Sequence, residues 1–158
     1  MRRNKAAGAG AYGGGILDAG NSISNLRSSW VNGNRATGQA GGILSRQELN
    51  VRKSTVQDNT AGSQGGGIWS GGTRIDGSKL KGNRTTAVGS LGGGLFAGSG
   101  TATLNRSEVS RNRADGAGSN GGGIYEQPGS TATIDRTKVA NNHPNHCAPT
   151  GAVTGCVN

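Results

Sequence analysis

Apolar residues along this chain recur at fixed places in a block of 25 to 29 residues, with polar and small residues between them. Two signals make up each block. The first is Gly-Gly-aliphatic, at Gly14-Gly15-Ile16, Gly41-Gly42-Ile43, Gly66-Gly67-Ile68, Gly93-Gly94-Leu95 and Gly122-Gly123-Ile124, in steps of 27, 25, 27 and 29 residues. The second is an aliphatic residue, Ser or Thr three positions on, an aliphatic two further, and Asn three further. It reads Leu26-Ser29-Val31-Asn34, Val51-Ser54-Val56-Asn59, Ile75-Ser78-Leu80-Asn83, Leu104-Ser107-Val109-Asn112 and Ile134-Thr137-Val139-Asn142. Local alternation has period two and no helical period is present. Each block predicts three short strands: one after the glycines (Gly67 to Trp69), one ending at the first aliphatic (Thr101 to Leu104), and one across Ser-x-Val (Ser107 to Val109). Turn formers such as Asp76-Gly77, Asn105-Arg106 and Gly33-Asn34 separate them.

Three strands in a repeat of this length predict an all-β fold, a right-handed parallel β-helix of about five coils. Residues 1–142 form the helix, with an incomplete first coil, and residues 143–158 form a C-terminal cap. Stacked coils turn recurring letters into columns. Three become interior ladders: Ile16-Ile43-Ile68-Leu95-Ile124, Leu26-Val51-Ile75-Leu104-Ile134 and Val31-Val56-Leu80-Val109-Val139. A fourth, Asn34-Asn59-Asn83-Asn112-Asn142, reads as a buried amide ladder, because Asn tolerates tight turns and its side chain can bond to the same amide one coil away.

Composition agrees with a solenoid rather than with a broad core. The 158 residues include 32 glycines, and only 30% are hydrophobic and 3% aromatic. Solenoid coils contact only their neighbours, so little bulky material is needed. The register of the few apolar residues also argues against a disordered glycine-rich chain. No apolar run reaches the length of a membrane helix.

These motifs carry a family resemblance. Gly-Gly-aliphatic blocks paired with aliphatic-x-x-Asn resemble the repeats of chlamydial polymorphic outer-membrane proteins, which have Phe-x-x-Asn where this chain has Val or Leu. The ending Asn145-His146-Cys147-Ala148-Pro149, with Val153-Thr154-Gly155-Cys156, is similar to the tail of secreted actinobacterial right-handed β-helix repeat proteins. The resemblance spans essentially the whole chain and implies a secreted or surface location. The two cysteines, Cys147 and Cys156, stand nine positions apart and could close a small ring; a disulfide there would fit an oxidising setting.

The first coil starts partway round: Asn4-Lys5-Ala6 stands twelve residues before Ile16, as Asn112-Arg113-Ala114 does before Ile124. An open first edge is a pairing hazard. Upstream sequence, or end-to-end self-association with a second copy, is the expectation.

Chemistry is sparse. Enzymes of this architecture need acidic residues grouped on one face. The eight acids fall mostly in different columns, and Asp76 and Asp135 share one but stand two coils apart. His143, His146 and the cysteines match no zinc spacing. No motif calls for a cofactor. Ice binding would need Thr-x-Thr on every coil, and only Thr101/Thr103 and Thr131/Thr133 supply it.

Two surface features remain. The residues after the glycine blocks, Leu17, Leu44, Trp69, Phe96 and Tyr125, form a column that alternation turns outward, an apolar ridge suited to stacking on sugar rings. The charge of +9 concentrates in columns: Arg27, Arg52, Lys53, Arg106 and Arg136 after the second strand, Lys79, Lys81 and Lys138 on the third, and Arg35, Arg84, Arg113 and His143 beside the asparagines. Such edges favour anionic polymers. No motif for specific nucleic-acid recognition accompanies them. The expectation is a non-catalytic extracellular structural or adhesive module that binds an acidic or neutral polysaccharide through Trp69, Phe96 and Tyr125 with Arg35, Arg84, Arg106, Arg113 and Arg136. The alternative is a fragment of a carbohydrate-active β-helix enzyme.

Overall fold

The computed structural model describes residues 1–158 and contains only strands and turns. It has no helix long and apolar enough to cross a membrane. The chain winds into a parallel β-solenoid of five stacked coils whose strands form three sheets. All pairing is parallel and in the register of the repeat: Ile43 pairs with Ile68, Val51 with Ile75, Leu80 with Val109.

The widest sheet has nine strands and forms one face of the rod. In the second and third coils it is crossed by single long strands, Ile43–Arg52 and Ile68–Asp76. In the other coils the same path is broken into two, as in Leu95–Ala97 and Thr101–Asn105. The first two predicted runs therefore lie in one sheet. The Ser-x-Val run forms the second sheet, Trp30–Asn32, Thr55–Gln57, Lys79–Lys81, Glu108–Ser110 and Lys138–Ala140. The third sheet follows the asparagines: Lys5–Ala6, Arg35–Ala36, Thr60–Ala61, Arg84–Thr85 and Arg113–Ala114. Its strands are two residues long, and the inward residue of each later strand (Ala36, Ala61, Thr85, Ala114) is small and buried.

Corners repeat as faithfully as strands. Ser28, Lys53, Gly77, Arg106 and Arg136 all have φ between 45° and 56°, whatever their side chain. This left-handed kink is costly for most residues, and its recurrence marks it as a property of the coil. The interior holds the three aliphatic ladders, with Ile68, Leu80, Leu95, Val109 and Ile124 fully buried. Residues at the ends, Ile16, Leu26, Ile134 and Val139, are only partly covered.

The asparagine column is a continuous buried ladder. Asn34 Nδ2 donates to Asn59 Oδ1 (2.9 Å), Asn59 to Asn83 (3.0 Å), Asn83 to Asn112 (3.0 Å) and Asn112 to Asn142 (3.0 Å). Asn4 adds a further member, donating to Asn34 Oδ1 at 2.9 Å. The second glycine of each pair makes room for it: a Cβ on Gly67 would lie 2.9 Å from Asn83 Nδ2 and 2.6 Å from the Gly94 carbonyl. A parallel hydroxyl ladder runs through Ser29, Ser54, Ser78, Ser107 and Thr137, the backbone N–H of each of the four serines donating to the hydroxyl one coil on at 3.1–3.2 Å.

The tail from His143 to Asn158 closes one end. Cys147–Ala148 adds a sixth strand beside Ile124–Glu126, Thr154 bridges to Thr133, and Val153 is buried on the core. Cys147 and Cys156 are joined in a disulfide with Cα atoms 6.4 Å apart.

Candidate functional site

The outer surface of the wide sheet carries the aromatic column. Alternation puts Ile68, Leu95 and Ile124 in the core and turns Trp69, Phe96 and Tyr125 to the opposite side, in register. The rings then stack on each other. Trp69 and Phe96 lie 6.0 Å apart at 11°, Phe96 and Tyr125 5.5 Å apart at 8°. Stacking occupies both faces of Phe96, which is 1% exposed, and Leu44 is 4% exposed. The expected open ridge is thus corrected: Phe96 is out of reach of a ligand, because adjacent coils bring large rings close enough to cover each other. Trp69 and Tyr125 stay half-buried at the two ends of the stack. Gly98 provides the space in which the indole lies; a Cβ there would come 2.9 Å from Trp69 Cζ2. Gln64 accepts from Trp69 Nε1 at 3.3 Å and from Gln39 Nε2 at 2.8 Å, which fixes the indole's polar edge.

Beyond Trp69, where the column continues as Leu44 and Leu17, the rings give way to a hollow of about 440 Å³. Tyr12, Leu17, Ala19, Leu44 and Trp69 make its apolar walls, and Gln39 and Arg46 its polar rim. Arg46 also borders a second depression of about 460 Å³ with no hydrophobic lining, formed by Gln47, Glu48, Arg74, Ser99, Thr101, Thr103 and the backbone of Gly71, Gly72 and Gly100. The register between Ile43–Arg52 and Ile68–Asp76 slips between Ser45 and Glu48, at the residues that line this groove. Irregularities of this kind re-aim side chains. Glu48 accepts from Arg74 Nε at 3.0 Å.

Sharing Arg74 and Thr103 with the groove, a third hollow of about 220 Å³ reaches Arg52, Asp76, Asn105 and Arg106. A fourth, of about 310 Å³, shares Arg52 and Asp76 with it and ends at Arg27, Ser28 and Lys53. Four depressions thus adjoin along one sheet, from Tyr12 and Trp69 to Arg27 and Lys53. The strand Ile43–Arg52 runs along this track, and its 10 residues would extend about 30 Å at the usual rise.

The sequence-predicted cations divide. Arg35, Arg84 and Arg113 stand on the third sheet, not on the sheet of the aromatic stack. Arg84 and Arg113, neighbours in register, share the carboxylate of Asp115, which Arg113 Nε meets at 2.8 Å. Burial alone would push the Asp115 carboxyl up, but the hydrogen bond from Arg113 and the charges of Arg84 and Arg113 outweigh it and hold it below the usual range. Arg35 stands in register with Lys5. Arg106 pairs with Asp76 at 2.8 Å and Arg136 with Asp135 at 3.6 Å. On the second sheet Glu108 lies in register between Lys79 and Lys138. Its carboxyl is held low by the hydrogen bond from Ser110, against burial and with help from Lys79, Lys138 and Lys81. Of the cations named from the sequence as ligand contacts, only Arg106 lines the track.

Tyr12, Gln39, Arg46 and Arg74 were missed by the sequence reading as site residues. None belongs to a conspicuous column. The signal that marks them is a break in repetition, Arg46-Gln47-Glu48 standing where other coils have Gly-rich turns. With fold and track defined, the class is a non-helical, disulfide-closed β-solenoid with a lined face. Comparison with family models, curated proteins and solved structures gave no match.

Proposed function

We propose that this protein is a non-catalytic extracellular β-solenoid that binds polysaccharide along the outer face of the wide sheet. The observation that carries the reading is the continuity of the track. An apolar hollow with an indole and a phenol passes directly into a polar groove floored by glycine backbone. Sugars present apolar ring faces and a rim of hydroxyls, and aromatic walls beside hydrogen-bonding groups suit both. The Cys147–Cys156 disulfide fits an oxidising, extracellular environment.

The non-catalytic part of the reading rests on the acids. Glycoside hydrolysis ordinarily uses two carboxylates across the scissile bond. Glu48 is the one carboxylate in the polar groove and is engaged by Arg74, and Asp76 in the adjoining hollows is engaged by Arg106.

A glycan array, followed by titration calorimetry on the best binder, tests the proposal with native protein, Trp69→Ala and Tyr12→Ala. Binding by the native chain that falls at least tenfold in both variants supports it. No binding to any glycan, or equal binding by the variants, removes it. Release of oligosaccharide products from a bound polymer would replace it with the enzyme reading.

A further inference from the structure

We infer that the end of the track formed by Arg27, Arg52 and Lys53 is an oxyanion subsite, and that the polysaccharide it serves is anionic, bearing sulfate or uronate groups. This deepens the proposed function, resting on it for the polymer but on separate residues for the anion.

The argument is a comparison of like-charged neighbours within one fold. Arg27 and Arg52 are directly in register on adjacent strands, with Lys53 next in sequence at the corner. Strands in a sheet lie about 4.8 Å apart, and like charges set opposite each other destabilise it. In the later coils a carboxylate intervenes where cations crowd. Asp115 sits between Arg84 and Arg113, and Glu108 between Lys79 and Lys138. In the same lane as Arg27 and Arg52, the later coils supply Asp76 to Arg106 and Asp135 to Arg136. Arg27, Arg52 and Lys53 form no ion pair, and Asp76, the next residue in their column, is taken by Arg106.

Lys5 and Arg35 are also in register without a carboxylate, but they stand on the narrow third sheet. The Arg27–Arg52–Lys53 group differs in enclosing a hollow of about 310 Å³ that continues the track. Gly77 leaves the surface beside Lys53 open: an added Cβ there would lie 4.0 Å from Lys53 Cγ. Two guanidinium forks and an ammonium line this hollow beside Ser28 and Asp76, whose carboxylate is neutralised by Arg106, and together they match the oxygens of a sulfate or carboxylate.

The test uses the full chain and three hexasaccharides: a heparin fragment with sulfate and carboxylate, a hyaluronan fragment with carboxylate alone, and neutral cellohexaose. Arg27→Ser/Arg52→Ser is compared with Lys79→Ser/Lys138→Ser, which removes the same charge from exposed positions on another sheet. Affinity for the anionic fragments should fall at least tenfold in the first variant and less than twofold in the second. Thermal stability of the first variant should hold or rise, since a repulsive pair is removed. Heparin binding with no hyaluronan binding assigns the subsite to sulfate, and binding of both assigns it to either anion. Equal losses in the two double variants, or no loss in the first, overturn the inference. If Trp69→Ala leaves anionic binding intact while Arg27→Ser/Arg52→Ser abolishes it, the subsite stands and the aromatic hollow falls.

Discussion

At the scale of single residues, stability in this solenoid is carried by amides and hydroxyls as much as by aliphatic side chains. Asn83 accepts at Oδ1 from both the backbone and the side chain of Asn59, and its own Nδ2 donates to the Val56 carbonyl (2.9 Å) and to Asn112. All of these groups are buried. Asn83→Ala leaves the buried Asn59 N–H unpaired and takes one hydrogen bond each from the Val56 carbonyl and from Asn112 Oδ1, which together cost about 3 kcal/mol, read as a loss of stability in urea unfolding. Asp115 gives a pH signature. Its folded pKa is depressed, so its contribution is present above the unfolded value near ~3.9 and is lost as pH falls through the lower folded value. Asp115→Asn should therefore destabilise by about 1 kcal/mol at pH 7, both arginines being solvent-screened, with the difference from the native chain shrinking as pH falls below the unfolded value. A difference that is independent of pH would show that packing, not charge, holds Arg84 and Arg113 together.

Single elements show how much was legible in the sequence. The aliphatic, asparagine and hydroxyl columns were readable because each places the same chemical group at the same step of the repeat. The third sheet was not read as strands, since Arg35–Ala36 or Thr60–Ala61 offers two residues and no bulky apolar letter. Outward direction of the Trp69 column was legible from alternation; mutual burial of its rings was not, because alternation says nothing of contacts between coils. The track was the least legible part, as it arises where Ser45 to Glu48 depart from the repeat. Functional positions often break local rules that the rest of a fold obeys. The glycine pairs supply a test of how tightly coils nest. Gly67→Ala puts a methyl 2.6 Å from the Gly94 carbonyl and against the asparagine ladder, and overpacking of that kind costs about 3 kcal/mol. Gly8, with nothing within 4 Å, should accept alanine within about 0.5 kcal/mol. Thermal unfolding of the two variants checks the pair.

The whole molecule has unlike ends, and this bears on the self-association expected from its sequence. At one end, Arg2 bridges to Asn32 and Lys5–Ala6 pairs with Arg35–Ala36, so the second and third sheets are covered. The wide sheet is not: Ile16–Asp18 and Ser24–Arg27 have a partner strand on one side only, and a hollow of about 130 Å³ between Ile16, Leu26, Ile43 and Leu49 opens there. At the other end the wide sheet finishes on Cys147–Ala148, whose outer edge is closed by a side chain. Cys147 N donates to Asn158 Oδ1 at 2.7 Å, and Asn158 Nδ2 donates to the Cys147 carbonyl at 2.9 Å. The amide of Asn158 thus occupies the two groups through which another strand would pair, a way of blunting a sheet edge. Head-to-tail stacking needs both edges free. Asn158→Ala frees the second one, so its mass by light scattering should rise with concentration further above 15.7 kDa than that of the native chain. Truncation of Ile16 and Leu26 to serine in the same background should reverse the increase, because those side chains would enter the joint. Equal mass for native and Asn158→Ala proteins at every concentration would show that the amide guards no edge.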